Sequence, residues 1–499
     1  MRTGIRPIAE GRGARAGSLT PCPLPWQGRG WSARAREAHA TRRLTWAVAL
    51  AVALAGALAG ATLAAAATEG GSATDTPPAA PLAGPVQTRL TNGLRLAFQN
   101  NPASPVVAIC AFVHTTAAQE AFNGAGVREL LQIMGQRTLV RPDAPAEETP
   151  PVMDLDTSLS RDYVELLALC LPGEVPKVLE RIRWALFEPY FSTTSYRFAQ
   201  DQLREEVVSR QSLAPDMALD ALVASLYPQW PGSWPLVGTG GATLVGEPFV
   251  QDFHARNYLI NRCVLAVAGP LDGATLHGQV EQAFGNLLPG KPGRLLPPPV
   301  GAEAKSGPLE LRLEGTEVAA VVAGGRGPSL VDPDYPAASV LVSILGTGHG
   351  SRLYHRLRVQ EDLCYTIDAG VSPSQVCPYL YVAATCAPDK TRQTQAALTD
   401  ELHKIVDQPP TEEEVARARR SLWGQYQLQQ QDNEQMAHYL GVFALLDPEE
   451  GTAEWSALPL RLAAVRPEQV QQEARQYLAT PMIVVVRGRP AAPETPEGR

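Results

Sequence analysis

The first half of the chain alternates between strand-like and helical spacing of its apolar residues. Residues Gln87 to Gln99 alternate apolar and polar positions around Asn92 and Gly93, which is typical of a β-hairpin. Helical spacing follows from Gly126 to Met134. The other predicted elements of this half are a buried strand at Val106–Val113, amphipathic helices at Val175–Phe187 and Ser195–Gln211, and a strand at Arg262–Gly269. The pattern predicts a sheet packed with helices.

The second half repeats this order of elements after a break. Proline and glycine interrupt any regular element between Leu287 and Pro308. Beyond the break, the pattern predicts strands at Leu309–Ala323 and Tyr379–Thr385, helices at Tyr335–Leu345 and Ser351–Gln360, and a last strand at Met482–Val486. The halves also end alike, because Tyr258 precedes Gly269 by the same separation as Tyr477 precedes Gly488. A duplicated α+β unit explains both observations.

The first 68 residues have the features of an export signal. Arg42 and Arg43 precede an uncharged run, Leu44 to Ala67, that is rich in Ala and Leu and ends in small residues. This run predicts a cleaved signal peptide or an N-terminal membrane anchor, so we expect an exported protein, periplasmic or anchored on that side. The rest divides into a linker at 69–85, a first domain at 86–290, a Pro/Gly-rich linker at 291–308, a second domain at 309–490 and a tail at 491–499.

Charge argues against a nucleic-acid partner. The chain has 43 Lys and Arg against 51 Asp and Glu. Nine of the Arg and only two of the acidic residues lie in the first 43 residues, which leaves 34 basic and 49 acidic residues in the remainder. An acidic body of this kind lacks the positive surface that phosphate backbones require.

Export also changes the interpretation of the seven cysteines. Cys22 leaves with a cleaved signal, and none of the other six forms a Cys-x-x-Cys pair. Most of the six lie in apolar runs, which is typical of buried free thiols. Cys377 and Cys386 flank one predicted strand, and they are the pair that we select as a candidate disulfide.

One segment of the second half resembles the C-terminal-domain signature of the M16 (pitrilysin, insulinase-like) metallopeptidase family. It reads Gly-Ser-Arg-Leu-Tyr-His-Arg-Leu-Arg at 350–358 and Glu-Asp-Leu-Cys-Tyr at 361–365, with Asp362 where that family usually has Gly. The resemblance extends from about residue 87 to 488. It implies an α+β fold of two homologous M16-type domains, each an antiparallel-rich sheet packed with helices, that form a clam-like shell around a peptide-binding chamber.

Active members of that family hold zinc with His-x-x-Glu-His, in which two His bind the metal, the Glu activates water, and a later Glu completes the ligand set. In the corresponding segment here, Glu129 stands at the first His, Gln132 at the general base and Ile133 at the second His. Gln211 stands at the later Glu. Gln cannot take a proton from water at neutral pH, and Ile has no lone pair for a metal. The resemblance therefore implies a member without catalytic residues or metal of its own, with zinc expected only in a partner. An ordinary amphipathic helix explains the same residues.

No other catalytic constellation stands out in the sequence. The His residues are scattered without metal-ligand spacing, and Gly-x-Ser-x-Gly is absent. The run from Gly346 to Gly350 resembles a phosphate-binding loop, but it lacks the Lys-Ser/Thr that follows in a P-loop.

The resemblance still implies a set of substrate-binding residues. Arg358 and Tyr365 match an Arg and a Tyr that, in active relatives, reach toward the substrate beside the metal. The Gly-rich loop, with Gly346, Gly348 and Gly350, resembles the loop by which the non-catalytic subunit of the mitochondrial processing peptidase engages substrate. The alternative is structural, with Tyr365 packed at a strand start and Arg358 on a solvated face.

Three functions remain open at this stage. The first is a non-catalytic subunit that binds a peptide or unfolded protein and forms a heterodimer with an active, zinc-bearing M16 peptidase. The second is a free-standing structural or peptide-binding scaffold. The third is an active metallopeptidase with a displaced metal site.

Overall fold

The first half folds into a six-stranded sheet. The computed structural model describes residues 84–120, 124–138, 153–293, 307–372 and 374–489. The strands of the first sheet are β1 Val86–Arg89, β2 Arg95–Asn100, β3 Val107–Val113, β4 Met153–Leu159, β5 Val164–Cys170 and β6 Cys263–Gly269. Their order is β1-β2-β6-β3-β5-β4. β1 and β2 pair antiparallel, as the hairpin pattern predicts, and Gly93 takes the positive φ of 89° in the turn between them.

Helices cover one face of this sheet. They are α1 Val127–Thr138, α2 Val175–Phe187, α3 Thr193–Gln211, α5 Glu247–Asn257 and α6 Gly273–Phe284, whereas α4 Ala214–Leu226 lies elsewhere. Alternate strand residues such as Ile109 and Val267 are fully buried against this layer. The apolar residues on one side of the strands and the apolar faces of the helices therefore form one core between the sheet and the helices.

The second half folds into a five-stranded sheet with its own helices. Its strands are β7 Gly307–Glu314, β8 Ala319–Arg326, β9 Cys364–Ser372, β10 Tyr379–Cys386 and β11 Met482–Arg489, in the order β7-β11-β8-β10-β9. Its helices are α7 Tyr335–Gly346, α8 Thr391–Asp407, α9 Glu412–Gln429, α10 Asn433–Leu446, α11 Gly451–Ala463 and α12 Pro467–Leu478. A π-helix, Tyr354–Gln360, precedes β9.

The two sheets share one topology. Without β1, the first sheet reads β2-β6-β3-β5-β4, which corresponds strand by strand to β7-β11-β8-β10-β9. In both sheets the first and last strands of the unit pair in parallel, β2 with β6 and β7 with β11. The common order supports the duplicated unit that the sequence suggests, and it confirms the α+β class.

Each half places one helix on the sheet of the other half. α4 of the first half packs on β8 and β11, and α10 of the second half packs on β2, β3 and β6. Leu222 of α4 shares a buried cluster with Val484 of β11, and Leu440 of α10 shares one with Ala108 of β3. A clam-like chamber requires open space between two faces, whereas along α4 and α10 the halves are in direct buried contact.

Small side chains allow α10 to approach the first sheet closely. The sheet presents Ala108 and Ala266 to the helix, and the helix presents Gly441 to the sheet. A Cβ on Gly441 would lie 2.1 Å from Cε2 of Phe112 and 2.9 Å from Cβ of Ala266. No side chain fits at this position without displacing the buried Phe112 ring.

Two predicted elements differ from the structure. The stretch Leu309–Ala323, predicted to be strand-like, contains two strands separated by a turn in which Gly315 has a φ of 78°. These two strands do not pair, because β11 lies between them. The predicted helix Ser351–Gln360 is mainly the π-helix Tyr354–Gln360. The periodicity of side chains does not distinguish a π-helix from an α-helix over so few residues.

Cys377 and Cys386, the candidate disulfide pair, are not joined in the structure. Both thiols are free and buried. Cys386 ends β10, and Cys377 lies before its first residue, so the length of a strand separates them. At a rise of roughly 3.3 Å per residue this distance is about 30 Å, far beyond the reach of one disulfide.

The predicted export segment, 1–68, lies outside the described residues, as do most of both linkers and the tail. In the part of the chain that the structure describes, no helix is both long and apolar enough to cross a bilayer.

Candidate functional site

A buried ion pair fixes the start of α1, the helix that carries the degenerate zinc motif. Arg128 is fully buried, and its Nε donates to Oε1 of Glu120 at 2.8 Å. The same guanidinium donates to the carbonyl oxygens of Thr115 and Ser160, at 3.0 and 2.7 Å. Oε2 of Glu120 accepts the N–H of Gly126 at 2.8 Å, just before the helix begins. These bonds hold the first turn of α1 rigidly against the sheet.

The motif positions on α1 have structural contacts. Nε2 of Gln132 donates to the carbonyl oxygens of Ser158 and Glu165, at 2.6 and 3.2 Å, which ties α1 to β4 and β5. Ile133 packs against the hydrophobic core of the first half. Gln132 is therefore used in a contact with the sheet and Ile133 in core packing. Gln132 cannot take a proton from a metal-bound water, and Ile133 has no lone pair for a metal.

Glu129 is the remaining carboxylate at the motif. Burial first, and next the negative charge of Glu206 on α3, raise the pKa of Glu129 to about 7. Gln211, at the position of the later metal ligand, is exposed near the end of α3, whereas Glu206 is half-buried. Five residues on an α-helix correspond to a rotation of about 140°, so Glu206 and Gln211 point in different directions. In the described residues no group of three or more His, Cys, Asp or Glu could hold a metal ion.

Arg358, in the π-helix, contacts the residue that precedes Tyr365 at the start of β9. Nη1 of Arg358 donates to the carbonyl oxygen of Cys364 at 2.9 Å and lies 3.3 Å from Oδ1 of Asp362. Asp362 has a φ of 47°, in the left-handed region where the family motif has Gly. The side chain of Tyr365 is 55% exposed, so its ring is presented to solvent.

A β-bulge is responsible for the exposure of Tyr365. Cys386 pairs with Cys364, and its neighbour Thr385 pairs with Thr366, so two steps along β9 oppose one step along β10. Tyr365 is the extra residue, and both it and Thr366 are exposed. Bulges at sheet edges redirect single side chains in this way.

The three glycines of the Gly-rich loop have different roles. Gly346 is buried at the end of α7, where a Cβ would lie 2.6 Å from that of Ala369. Gly348 has a φ of 75°, which favours glycine, and a Cβ at this position would have nothing within 4 Å. The backbone conformation, and not a lack of space, therefore explains this glycine. Gly350 is exposed and lies against the side chain of Arg417. Only the Gly348–Gly350 part of the loop is accessible to a ligand.

The structure does not bring the two predicted sets of residues together. α1 packs on α2, α3, α5 and β4, all from the first half. β9 packs on β10, α7 and the π-helix, all from the second half. Glu129 and Tyr365 therefore belong to elements that pack in different halves of the chain.

Sequence analysis missed the buried polar groups that join the halves. Nδ1 of His438 on α10 lies 2.7 Å from Oε1 of Glu165 on β5, and the hydroxyl of Ser158 donates to the other carboxylate oxygen at 2.6 Å. The carboxylate of Asp162 accepts backbone N–H bonds from Gln375 and Val376, and burial raises its pKa to about 6. No sequence motif marks these pairs, because each is formed between residues more than 200 positions apart.

Comparison with known proteins gives consistent similarities. A family model for the peptidase M16 inactive domain matches residues 249–422. An uncharacterized zinc protease of Mycobacterium bovis is 26% identical over 373 residues, covering 73% of this chain and 84% of the relative. An uncharacterized zinc protease of Streptomyces coelicolor is 24% identical over 400 residues, covering 79% of this chain and 87% of the relative.

Solved structures share the fold. A protease from Helicobacter pylori superposes with a TM-score of 0.73 at 14% identity, over 81% of this chain and 99% of the other. A peptidase M16 inactive domain from Pseudomonas fluorescens gives a TM-score of 0.72 at 18% identity, over 83% and 100% of the two chains. A chain of complex III2 from Candida albicans gives a TM-score of 0.69 at 15% identity, over 81% and 95%.

Proposed function

Because this chain belongs to the M16 peptidase family, we propose that it is an exported, non-catalytic subunit. It pairs with an active, zinc-bearing M16 peptidase and binds peptide or unfolded protein for that partner. The observation that carries the proposal is the state of α1. Gln132 and Ile133 are used in packing and sheet contacts, and Glu129 is the only carboxylate among the three motif positions. Zinc in such a complex resides in the partner.

α4 and α10 each pack on the sheet of the opposite half, and this arrangement supports a two-chain assembly. The faces of the two sheets that meet within this chain are filled by these helices, so they leave no room for a peptide there. A substrate chamber requires a second chain that faces an outer surface of this one. Two chains of related fold can form it with surfaces of standard interface size, about 800 Å² per partner.

The bulge at Tyr365 supports a substrate-binding role for the second half. A hydroxyl that is held outward on an edge strand can donate to a peptide carbonyl, and the guanidinium of Arg358 fixes the backbone just before it. Gly348 and Gly350 expose backbone groups of the nearby loop. These groups act on a peptide held by the partner.

Co-expression with an active M16 homologue from the same genome tests the proposal. We expect the two proteins to co-elute on size-exclusion chromatography and the pair to hydrolyse peptide faster than the active chain alone. Tyr365→Phe in the pair removes a donor, and the loss of one such donor costs up to about 3 kcal/mol, on the order of a hundredfold in rate. Arg204→Ala, an exposed change on α3, is the matched control. Separate elution together with full activity of the homologue alone would contradict the proposal.

Two measurements distinguish the alternatives. Elemental analysis of the purified chain is expected to find less than one zinc per chain, and no chelator-sensitive hydrolysis; stoichiometric zinc would favour an active peptidase with a displaced site. A free-standing scaffold, which the similar fold of the complex III2 chain suggests, predicts separate elution from the active homologue and no effect on its hydrolysis of peptide. Fractionation of cells that express the full chain tests export, and recovery in the cytoplasm would contradict it.

A further inference from the structure

Cys364 and Cys386 are opposite each other on neighbouring strands. They are register partners in the antiparallel pairing of β9 with β10. Both side chains point into the same core cluster, so they lie on the same face of the sheet. Directly opposed residues of an antiparallel pair have Cβ atoms roughly 4.5–5.5 Å apart, and a disulfide needs about 3.5–4.5 Å. A small adjustment is enough to join them.

The position of the pair allows that adjustment. The register shifts immediately beside Cys386, so the two strands are already irregular at this point. β9 is an edge strand, and therefore it can move without disturbing a neighbour on its outer side. Both thiols are free in the structure, and both are almost completely buried.

We propose that Cys364 and Cys386 form a cross-strand disulfide when the protein folds in an oxidising compartment, and that this bond fixes the bulge that presents Tyr365. The oxidant is a disulfide, such as glutathione disulfide or the active-site disulfide of a thiol oxidase. One thiolate attacks it to give a mixed disulfide and release one thiol, and the second thiolate then displaces the other. Two protein thiols lose two protons and two electrons, and the oxidant is reduced to two thiols.

Folding is the stage at which the bond forms. In the folded protein, burial raises the pKa of the Cys364 thiol to about 11 and also raises that of Cys386. The thiolate is the nucleophile, so the folded pair reacts slowly with external disulfides. In the unfolded chain both thiols are accessible, and the pairing of β9 with β10 then selects the correct partner.

The bond has a local structural consequence. Tyr365 directly follows Cys364, and Arg358 holds the carbonyl of Cys364 at 2.9 Å. A covalent link to β10 at this residue removes the freedom of the strand end to fray. The exposed Tyr ring is then held at a fixed position on the sheet edge.

Peptide mapping after oxidative refolding tests the proposal. The full chain is denatured, reduced, and refolded in a glutathione buffer with an excess of the disulfide form. Chymotrypsin cleaves after Tyr365 and Tyr379, so it separates Cys364, Cys377 and Cys386 into different fragments. We expect a linked fragment that contains Cys364 and Cys386 and lacks two hydrogens relative to its parts. Cys377→Ser is the matched control and is expected to retain the link.

Hydrogen exchange provides a second readout. The backbone amides of 364–367 are expected to exchange about tenfold more slowly in the oxidised protein than in Cys386→Ser, because the link suppresses local opening. A link that involves Cys377, or seven titratable thiols in the full chain refolded to native circular dichroism, would overturn the proposal. Equal exchange in the oxidised protein and Cys386→Ser would overturn its second part. Neither measurement depends on the catalytic partner, so they stand apart from the test of the proposed function.

Discussion

The close contact between α10 and the first sheet predicts that one added methyl group, in Gly441→Ala, lowers the free energy of unfolding. Gly441 of α10 lies where a Cβ would meet Cε2 of Phe112 at 2.1 Å, and Phe112 is fully buried. Gly424 of α9 has nothing within 4 Å of the same position. The two glycines are both inside helices, so the change to Ala has the same effect on helix propensity at each.

The magnitudes follow from these distances. Replacement of a helical Gly by Ala stabilises by up to about 1 kcal/mol, which is the whole effect expected for Gly424→Ala. Overpacking of a core costs about 1–3 kcal/mol, because the Phe112 ring has to leave its position. For Gly441→Ala the packing cost of up to about 3 kcal/mol exceeds the propensity gain of up to about 1 kcal/mol, and we expect a net loss of up to about 2 kcal/mol. The two variants should therefore differ in sign.

Urea denaturation followed by circular dichroism measures both changes. The double variant Gly441→Ala with Phe112→Leu provides an internal check, because Leu lacks the ring atom that the new methyl group meets. It is expected to lose less stability than the sum of the two single changes. A stability of Gly441→Ala equal to that of wild type would show that α10 packs on the first sheet more loosely than these distances require.

Three further predictions concern buried or strained groups. Glu129→Gln is expected to stabilise the protein by about 1–3 kcal/mol above pH 7. Burial and the charge of Glu206 raise the pKa of Glu129 from 4.5 to about 7 in the folded protein. The contribution of Glu129 to folding stability is therefore full below pH 4.5 and is lost as the pH rises through 7. Urea titrations at pH 5 and pH 8 check this, and equal effects at both would contradict it. Asp362→Gly is expected to be about 1 kcal/mol more stable than Asp362→Ala, because both remove the carboxylate and only Gly readily accepts the positive φ; equal thermal midpoints would show that the backbone is not strained there. His438→Ala is expected to cost about 3 kcal/mol because it removes the ring nitrogen that lies 2.7 Å from Oε1 of the buried Glu165, and the double variant with Glu165→Gln should recover part of the loss in urea denaturation.

The sequence by itself determined most of the elements. Asn92 and Gly93 located a hairpin because few residues other than Gly adopt its positive φ, and the apolar spacing at Val175–Phe187 gave both ends of α2. The residues at 129, 132 and 133 excluded the zinc motif without any coordinates, since ligand chemistry depends on residue type. The family resemblance that includes Arg358 and Tyr365 also depends only on residue types along the chain.

Only the tertiary structure decided which surfaces these elements share. Apolar periodicity shows that α4 and α10 have buried faces, but it cannot show that each faces the sheet of the opposite half. The register of β9 against β10 is likewise invisible in the sequence. The sequence suggests Cys377 as a candidate partner of Cys386, whereas the structure places Cys364 opposite Cys386. Burial and the nearby charge of Glu206, not residue type, set the pKa of Glu129. Local pattern fixes what each segment forms, whereas contacts between distant residues depend on how the segments pack, and no local pattern encodes them.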